Sequence, residues 1–190
     1  LDYIRYPHAV PFPPDSKFIQ YGLSYGYGRM NVKRYEDTTG YDPFKCYGSR
    51  DEALAWDNWK RQQVTDLLKG IRDAMKKNNP DKLLSCAVIA SVERGYLAAY
   101  QDWPGWLEKG LCDYVVTMNY TEDDQLAEIN LKNALANKGK GKVYNGIGVF
   151  LLKKPGAFKK QYNRMKAIGP DGMVFFSYDD LTGDAKVPAE

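Results

Sequence analysis

Leu83-Leu84-Ser85-Cys86-Ala87-Val88-Ile89-Ala90-Ser91 is a near-continuous apolar run of strand length. A strand with one wet face alternates apolar and polar residues. A strand without that alternation is expected to be covered on both faces, as in parallel sheets. Upstream, Ser49-Arg50-Asp51-Glu52 matches a capping box. Val64, Leu67, Leu68, Ile71 and Met75 then recur at helical spacing, and Asn79-Pro80 ends the helix. Downstream, residues 92–102 read as a loop and residues 103–109 as a short helical turn stopped by Gly110. Residues 113–120 (DYVVTMNY) form the next strand. Residues 126–137 form a helix with Ala127, Leu131, Ala134 and Leu135 on one face and Gly139 just past its end. Residues 142–150 are a strand. Pro155 suits a first helical turn, Phe158, Tyr162 and Met165 stripe that helix, and Gly169-Pro170 closes it. Residues 172–178 (GMVFFSY) are the last strand.

At the other end, Leu1-Asp2-Tyr3-Ile4-Arg5-Tyr6-Pro7 reads as a further short strand entering a loop. Tyr and Ile favour the pleat, and Pro7 has no N–H to donate to a ladder. Residues 8–50 are a long connection rich in Pro, Gly and Tyr. A loop this long is functional or disordered, and its tyrosines argue against disorder. Their faces suit sugar rings; packing on the rim of the sheet explains them equally well.

Five strands alternating with four helices imply right-handed βαβ crossovers and a parallel sheet in one α/β domain, residues 1–190. They are too few for a closed (β/α)8 barrel. They suit its carboxyl-terminal part, or an open doubly wound sheet. No Gly-x-Gly-x-x-Gly follows a strand and no Walker loop is present, which disfavours nucleotide binding.

Composition narrows the function. The 190 residues are 44% hydrophobic, enough for one core, and the formal charge of +3 is spread without a basic patch. No nucleic-acid partner and no membrane span are expected. His8 is the only histidine, so a His-rich metal site is out. Cys46, Cys86 and Cys112 fit neither a disulfide framework nor a zinc pattern; Cys86 and Cys112 are expected as buried thiols. No cofactor is expected. The chain opens without Met or a signal peptide and is read as part of a longer protein.

Polar and aromatic residues recur where the strands end: Asp2, Arg5 and Tyr6; Glu93 and Arg94; Asn119, Tyr120 and Glu122; Tyr178, Asp179 and Asp180. Carboxyl ends of parallel barrel strands carry active sites. A plain Asp2–Arg5 ion pair holding a strand end is the structural alternative.

Three motifs carry a resemblance. They are Leu-Asp-Tyr-Ile-Arg-Tyr-Pro, Gln-Asp-Trp-Pro-Gly-Trp-Leu-Glu-Lys-Gly-Leu-Cys-Asp-Tyr-Val-Val-Thr-Met-Asn-Tyr-Thr, and Gly-Met-Val-Phe-Phe-Ser-Tyr-Asp-Asp-Leu. Together they resemble the bacterial glycosyl hydrolase-like family 10. The resemblance implies a TIM-barrel catalytic domain, strands four to eight of the barrel, export from the cell, and action on a bacterial-type polysaccharide such as cell-wall glycan. Five barrel strands would expose two edges, so an amino-terminal barrel segment, or a second copy of the chain, is expected to fill the gap. Asp2 would then occupy a place similar to the strand-four carboxylate of many retaining glycosidases. The chitinase pattern Asp-x-Glu is not met, because Ile4 stands where its Glu would be.

Glycoside hydrolysis uses two carboxyl groups in different protonation states, about 5–5.5 Å apart for retention and about 6.5–9.5 Å for inversion. Asp2 suits the ionised partner if the chain leaves strand geometry near Ile4 and brings Arg5 beside it. Asp102, next to Trp103, is the first candidate acid, followed by Glu93 and Glu122. Arg5, Tyr6, Gln101, Asn119, Tyr120, Tyr178 and Asp179 are candidate substrate contacts. For Asn119 and Tyr120 a hydrogen-bonded barrel layer is the alternative. A glycan-binding module that lacks a working acid pair is the rival function. Trp103 and Trp106 are expected to be packing residues.

Overall fold

In the computed structural model, which describes residues 1–7, 25–45 and 49–182, the expected alternation organises the second half of the chain. Strands β1 (Ser85–Ile89), β2 (Tyr114–Met118), β3 (Val143–Gly148) and β4 (Gly172–Phe176) form one sheet in the order β1-β2-β3-β4. Every neighbouring pair is parallel. In register, Ser85 faces Tyr114, Val115 faces Val143, and Tyr144 faces Gly172.

Helix α1 (Arg29–Thr39) and the long α2 (Arg50–Asn78) precede the sheet. Between strands lie α3 (Val92–Ala98), α4 (Trp103–Glu108), α5 (Asp124–Ala136), a 3-10 turn (Val149–Leu151) and α6 (Ala157–Ile168). Short α7 (Tyr178–Thr182) follows β4. Small polar side chains start most of these helices by accepting the free N–H groups of the first turn. Ser49 accepts from Glu52 as the capping box requires, Ser91 from Arg94, Asp102 from Gly105, and Asp123 from Gln125 and Leu126. The acids at the start of α2 and the lysines at its end also suit its dipole.

The helices cover one face of the sheet. Cys86, Val88, Val115 and Val143 share a buried cluster with Val64 and Leu68 of α2, Trp103 and Trp106 of α4, and Ala134 of α5. Ile147 joins Ala127 and Leu131 of α5 and Met165 of α6, with Met173 and Phe175 against them. Residues of the opposite parity, among them Ala87, Val116, Tyr144 and Val174, meet no helix in either cluster. The expectation that the apolar run 83–91 is covered on both faces is therefore corrected: β1 alternates half-buried and buried residues along its length. Among the described residues the helices in these clusters lie on one side only, whereas a doubly wound sheet carries them on both. A singly covered, sequentially ordered parallel sheet is compatible with part of a TIM-barrel-like α/β domain.

Three further expectations change. Residues 92–102 are not loop throughout, because α3 lies inside them. Residues 1–7 are not a strand. Leu1 makes ladder-like bonds with β1, its ammonium donating to Ser85 O and its carbonyl accepting from Ala87 N at 2.8 Å. Tyr3 then takes a left-handed conformation (φ 54°) and ends the pairing. The connection 8–50 is not loop throughout, because α1 lies inside it, ended by left-handed Gly40. Tyr35 of α1 is buried edge-on against Trp56 and Trp59 of α2. Packing explains this tyrosine. His8, Cys46, Tyr21 and Tyr47 lie outside the described residues. Among the described residues, no helix is long and apolar enough to cross a membrane.

Candidate active site

The carboxyl ends of the strands meet an aromatic wall. Tyr120, just past β2, stacks on Phe176 at the end of β4, with ring centroids 5.8 Å apart and planes 16° apart. Phe150, just past β3, stands edge-on to both. Gly148 makes this possible, since a Cβ there would come within 3.0 Å of both Tyr120 and Phe150. Phe176 is 54% exposed and Tyr178 73%, so ring faces remain open to a ligand.

Asp2 lies close enough to Tyr120 for its charge to act on the phenol. Its carboxylate accepts from the Tyr3 N–H at 2.7 Å and is otherwise exposed. Burial first, and then the charge of Asp2, push the Tyr120 phenol above its ordinary value. The phenol therefore stays protonated at neutral pH and keeps a hydrogen to donate. Glu122 is exposed two residues beyond Tyr120 on the same loop. Glu93 is exposed in the first turn of α3 and accepts from Ser91 Oγ at 3.3 Å. Tyr178 and Asp179 open α7, both exposed.

The remaining candidates are placed elsewhere. Asp102 caps α4, accepting from Gly105 N at 3.2 Å, and borders a cleft with Arg61 and Gln62 of α2 and Lys109. Asp102 thus starts a helix, and among the described residues no hydrogen bond or ion pair joins it to Asp2. Gln101 is fully buried; its amide donates to Ile4 O at 3.1 Å and its oxygen accepts from Ile89 N at 3.0 Å. It brackets the first segment against β1 and has no face for a sugar. Asn119 is buried too. It donates to Ala127 O at 2.8 Å and Asn145 Oδ1 at 3.1 Å, and accepts from Asn130 at 3.0 Å. This is the hydrogen-bonded layer, on the covered side.

Arg5 does not pair with Asp2 among the described residues. Its guanidinium lies over the Tyr3 ring, 4.6 Å from the centroid. Tyr6 is held by its N–H to Ala99 O at 3.0 Å and packs edge-on to Tyr100. Both side chains line a groove on the α2 side of the segment.

Sequence reasoning missed Phe150 and Phe176 as rim aromatics. The signal was available for Phe176, which shares its parity with Val174 on the open face. It also missed Lys60, buried on α2, which pairs with Asp57 at 3.0 Å and donates to Tyr100 Oη at 2.5 Å. A lysine inside an amphipathic helix gives no such warning. Among the described residues, no three His, Cys, Asp or Glu gather as metal ligands would.

A family model described as glycosyl hydrolase-like 10 matches residues 14–163. That span contains the motif at 101–121 and excludes those at 1–7 and 172–181. No curated protein matches the chain.

Proposed function

Because the chain belongs to the glycosyl hydrolase-like 10 family, we propose that it is a glycoside hydrolase domain whose reaction takes place at the carboxyl rim of the sheet. The observation that supports this reading is the Tyr120–Phe176 wall at the carboxyl ends of the strands, with Asp2 close enough for its charge to act on the Tyr120 phenol. A developing oxocarbenium ion needs a negative charge near an apolar sugar-binding surface, and the rim supplies both. Asp2 acts as the ionised carboxylate, as nucleophile or as base. Glu122 is the preferred acid, since it is exposed on the Tyr120 loop, with Glu93 next. Tyr120 and Tyr178 bind the sugar.

The substrate is a bacterial-type polysaccharide such as cell-wall glycan, met after export. Further barrel strands, or a second copy of the chain, pair with the exposed edges of the sheet in the working protein; Leu1's ladder-like bonds along β1 support strand addition at that edge. A second reading, a glycan-binding module without turnover, is favoured by one observation: Asp102, an acid within the motif at 101–121, is engaged as a helix cap.

The test is release of reducing ends from a panel of bacterial polysaccharides. Asp2→Asn is expected to lower turnover by about 10²–10³-fold, and Glu122→Gln by a similar factor, with glycan retention in affinity electrophoresis preserved. Losses of only a few-fold would make Asp2 structural. Retention without any release by the parent chain would establish the binding module.

A further inference from the structure

Two acids follow β4, and they behave differently. Asp179 is exposed. The Asp180 side chain is only 16% exposed, and both of its oxygens are engaged. Oδ2 accepts from the Ser177 hydroxyl at 2.8 Å and from the Ser177 N–H at 3.3 Å. The bond to the N–H is the reciprocal half of a capping box, in which the third helical residue reaches back to the residue before the helix. Oδ1 accepts from Lys153 Nζ at 3.2 Å. Ser177 first, and Lys153 next, hold the Asp180 carboxyl below the usual carboxylate range, so it is charged at neutral pH.

These three residues connect parts of the aromatic wall. Ser177 directly follows Phe176, and Lys153 lies three residues after Phe150. The two rings stand edge-on with centroids 6.1 Å apart, and Tyr120 stacks on Phe176. One carboxylate thus spans the exits of β3 and β4, which carry two of the three rings. Starting α7 requires only the bonds to Ser177. The bond to Lys153 crosses 27 residues of sequence and has no part in capping. An ion pair with one exposed partner contributes little to global stability, so its effect is local.

We propose that Asp180 is a positioning residue of the rim: with Ser177 and Lys153 it clasps the exits of β3 and β4 and holds Phe150 and Phe176 in the arrangement that receives a sugar ring. Its consequence for binding rests on the carbohydrate reading of the rim; the clasp itself does not.

The experiment is a double-mutant cycle on the intact chain. Lys153→Met cuts the β3 side alone. Asp180→Asn keeps the shape and an acceptor for Ser177 while removing the charge that Lys153 meets. Two quantities are read: nuclear Overhauser contacts among the rings of Phe150, Phe176 and Tyr120, and the dissociation constant of a bacterial polysaccharide in affinity electrophoresis. Each single variant is expected to weaken the ring contacts and to raise the constant about three- to fivefold, with the thermal midpoint within about 2 °C of the parent's. The double variant should be no worse than either single one, and Lys153→Arg, which keeps the charge, should match the parent. Ring contacts that survive in both single variants, or effects that add in the double variant, would overturn the clasp. So would a lowered midpoint with unaltered affinity, which would make the pair structural only. A parent chain that retains no glycan would overturn the carbohydrate reading instead, and the ring contacts would still decide the clasp.

Discussion

The two faces of the sheet contrast along β1, β2 and β4. On the helix-covered face Val88, Val115, Val143 and Ile147 are completely buried, and the fully buried Trp103 and Trp106 back them. On the other face Val174 is 36% and Phe176 54% exposed, and Tyr114 stacks on Tyr144 with centroids 4.5 Å apart. One face holds the fold, and the other presents rings. The difference teaches that apolar composition alone does not tell which face of a strand is covered, since both faces of β4 are drawn from the same GMVFF run.

The contrast predicts a hierarchy of effects. Trp106→Ala removes a buried indole whose N–H donates to Thr65 Oγ1 at 2.9 Å. A loss of about 3–5 kcal/mol is expected in urea unfolding. A loss below about 1 kcal/mol would mean that the covered face is not the stabilising one.

Phe176→Ala sits at the other pole. With half its ring in water, it should cost only about 1 kcal/mol of stability. Its effect should appear in function, as several-fold weaker glycan retention through loss of the Tyr120 stack. A large stability loss with unchanged retention would reverse the assignment of the two faces.

The smallest effect concerns the amino edge shared by both faces. Asp171 accepts from Val143 N at 2.8 Å and Lys138 Nζ at 2.6 Å. Burial raises its affinity for protons, but these two hydrogen bonds prevail and hold its carboxyl below the usual range. A depressed carboxyl stabilises the fold above its unfolded pKa of about 4, and the contribution fades as pH falls through the folded value. Parent protein should therefore lose more stability than Asp171→Asn between about pH 5 and pH 2. Parallel acid-denaturation curves would show that the bond to β3 contributes nothing.

Much of the fold was legible because its signals are local. The capping box at Ser49, the stripes on α5 and α6 and the apolar runs of β1 to β4 all lie within one element. Seven-residue α3 was hidden, since it is too short to show a stripe and is started by a lone Ser91 cap. Helix α1 was hidden by its mostly polar surface; its one buried side chain, Tyr35, is buried against α2, a relation no local pattern records. The site was less legible for the same reason. Asp102 and Gln101 follow an aromatic-rich loop as site residues do, yet their hydrogen bonds to Gly105, Ile4 and Ile89 appear only in the fold. Tyr120 was recognisable from its strand end, but its stack on Phe176 joins residues on separate strands.

The register has a kinetic consequence. Ser85 meets Tyr114, Val115 meets Val143, and Tyr144 meets Gly172, so each seam closes a chain segment of almost the same length. Closure entropy depends on that length only logarithmically, so no seam has a head start from chain connectivity. The order of assembly then falls to the apolar surface that each seam takes out of water. The first seam collects Cys86, Val88 and Val115 around two tryptophans, whereas β4 contributes only partly buried Met173 and Phe175. Folding should begin at β1–β2 and add β4 last, so that the aromatic wall, which needs Phe176, is completed only at the end. Pulse-labelling hydrogen exchange reads this directly: amides of β2 should be protected before those of β4, and the opposite order would place the nucleus at the rim.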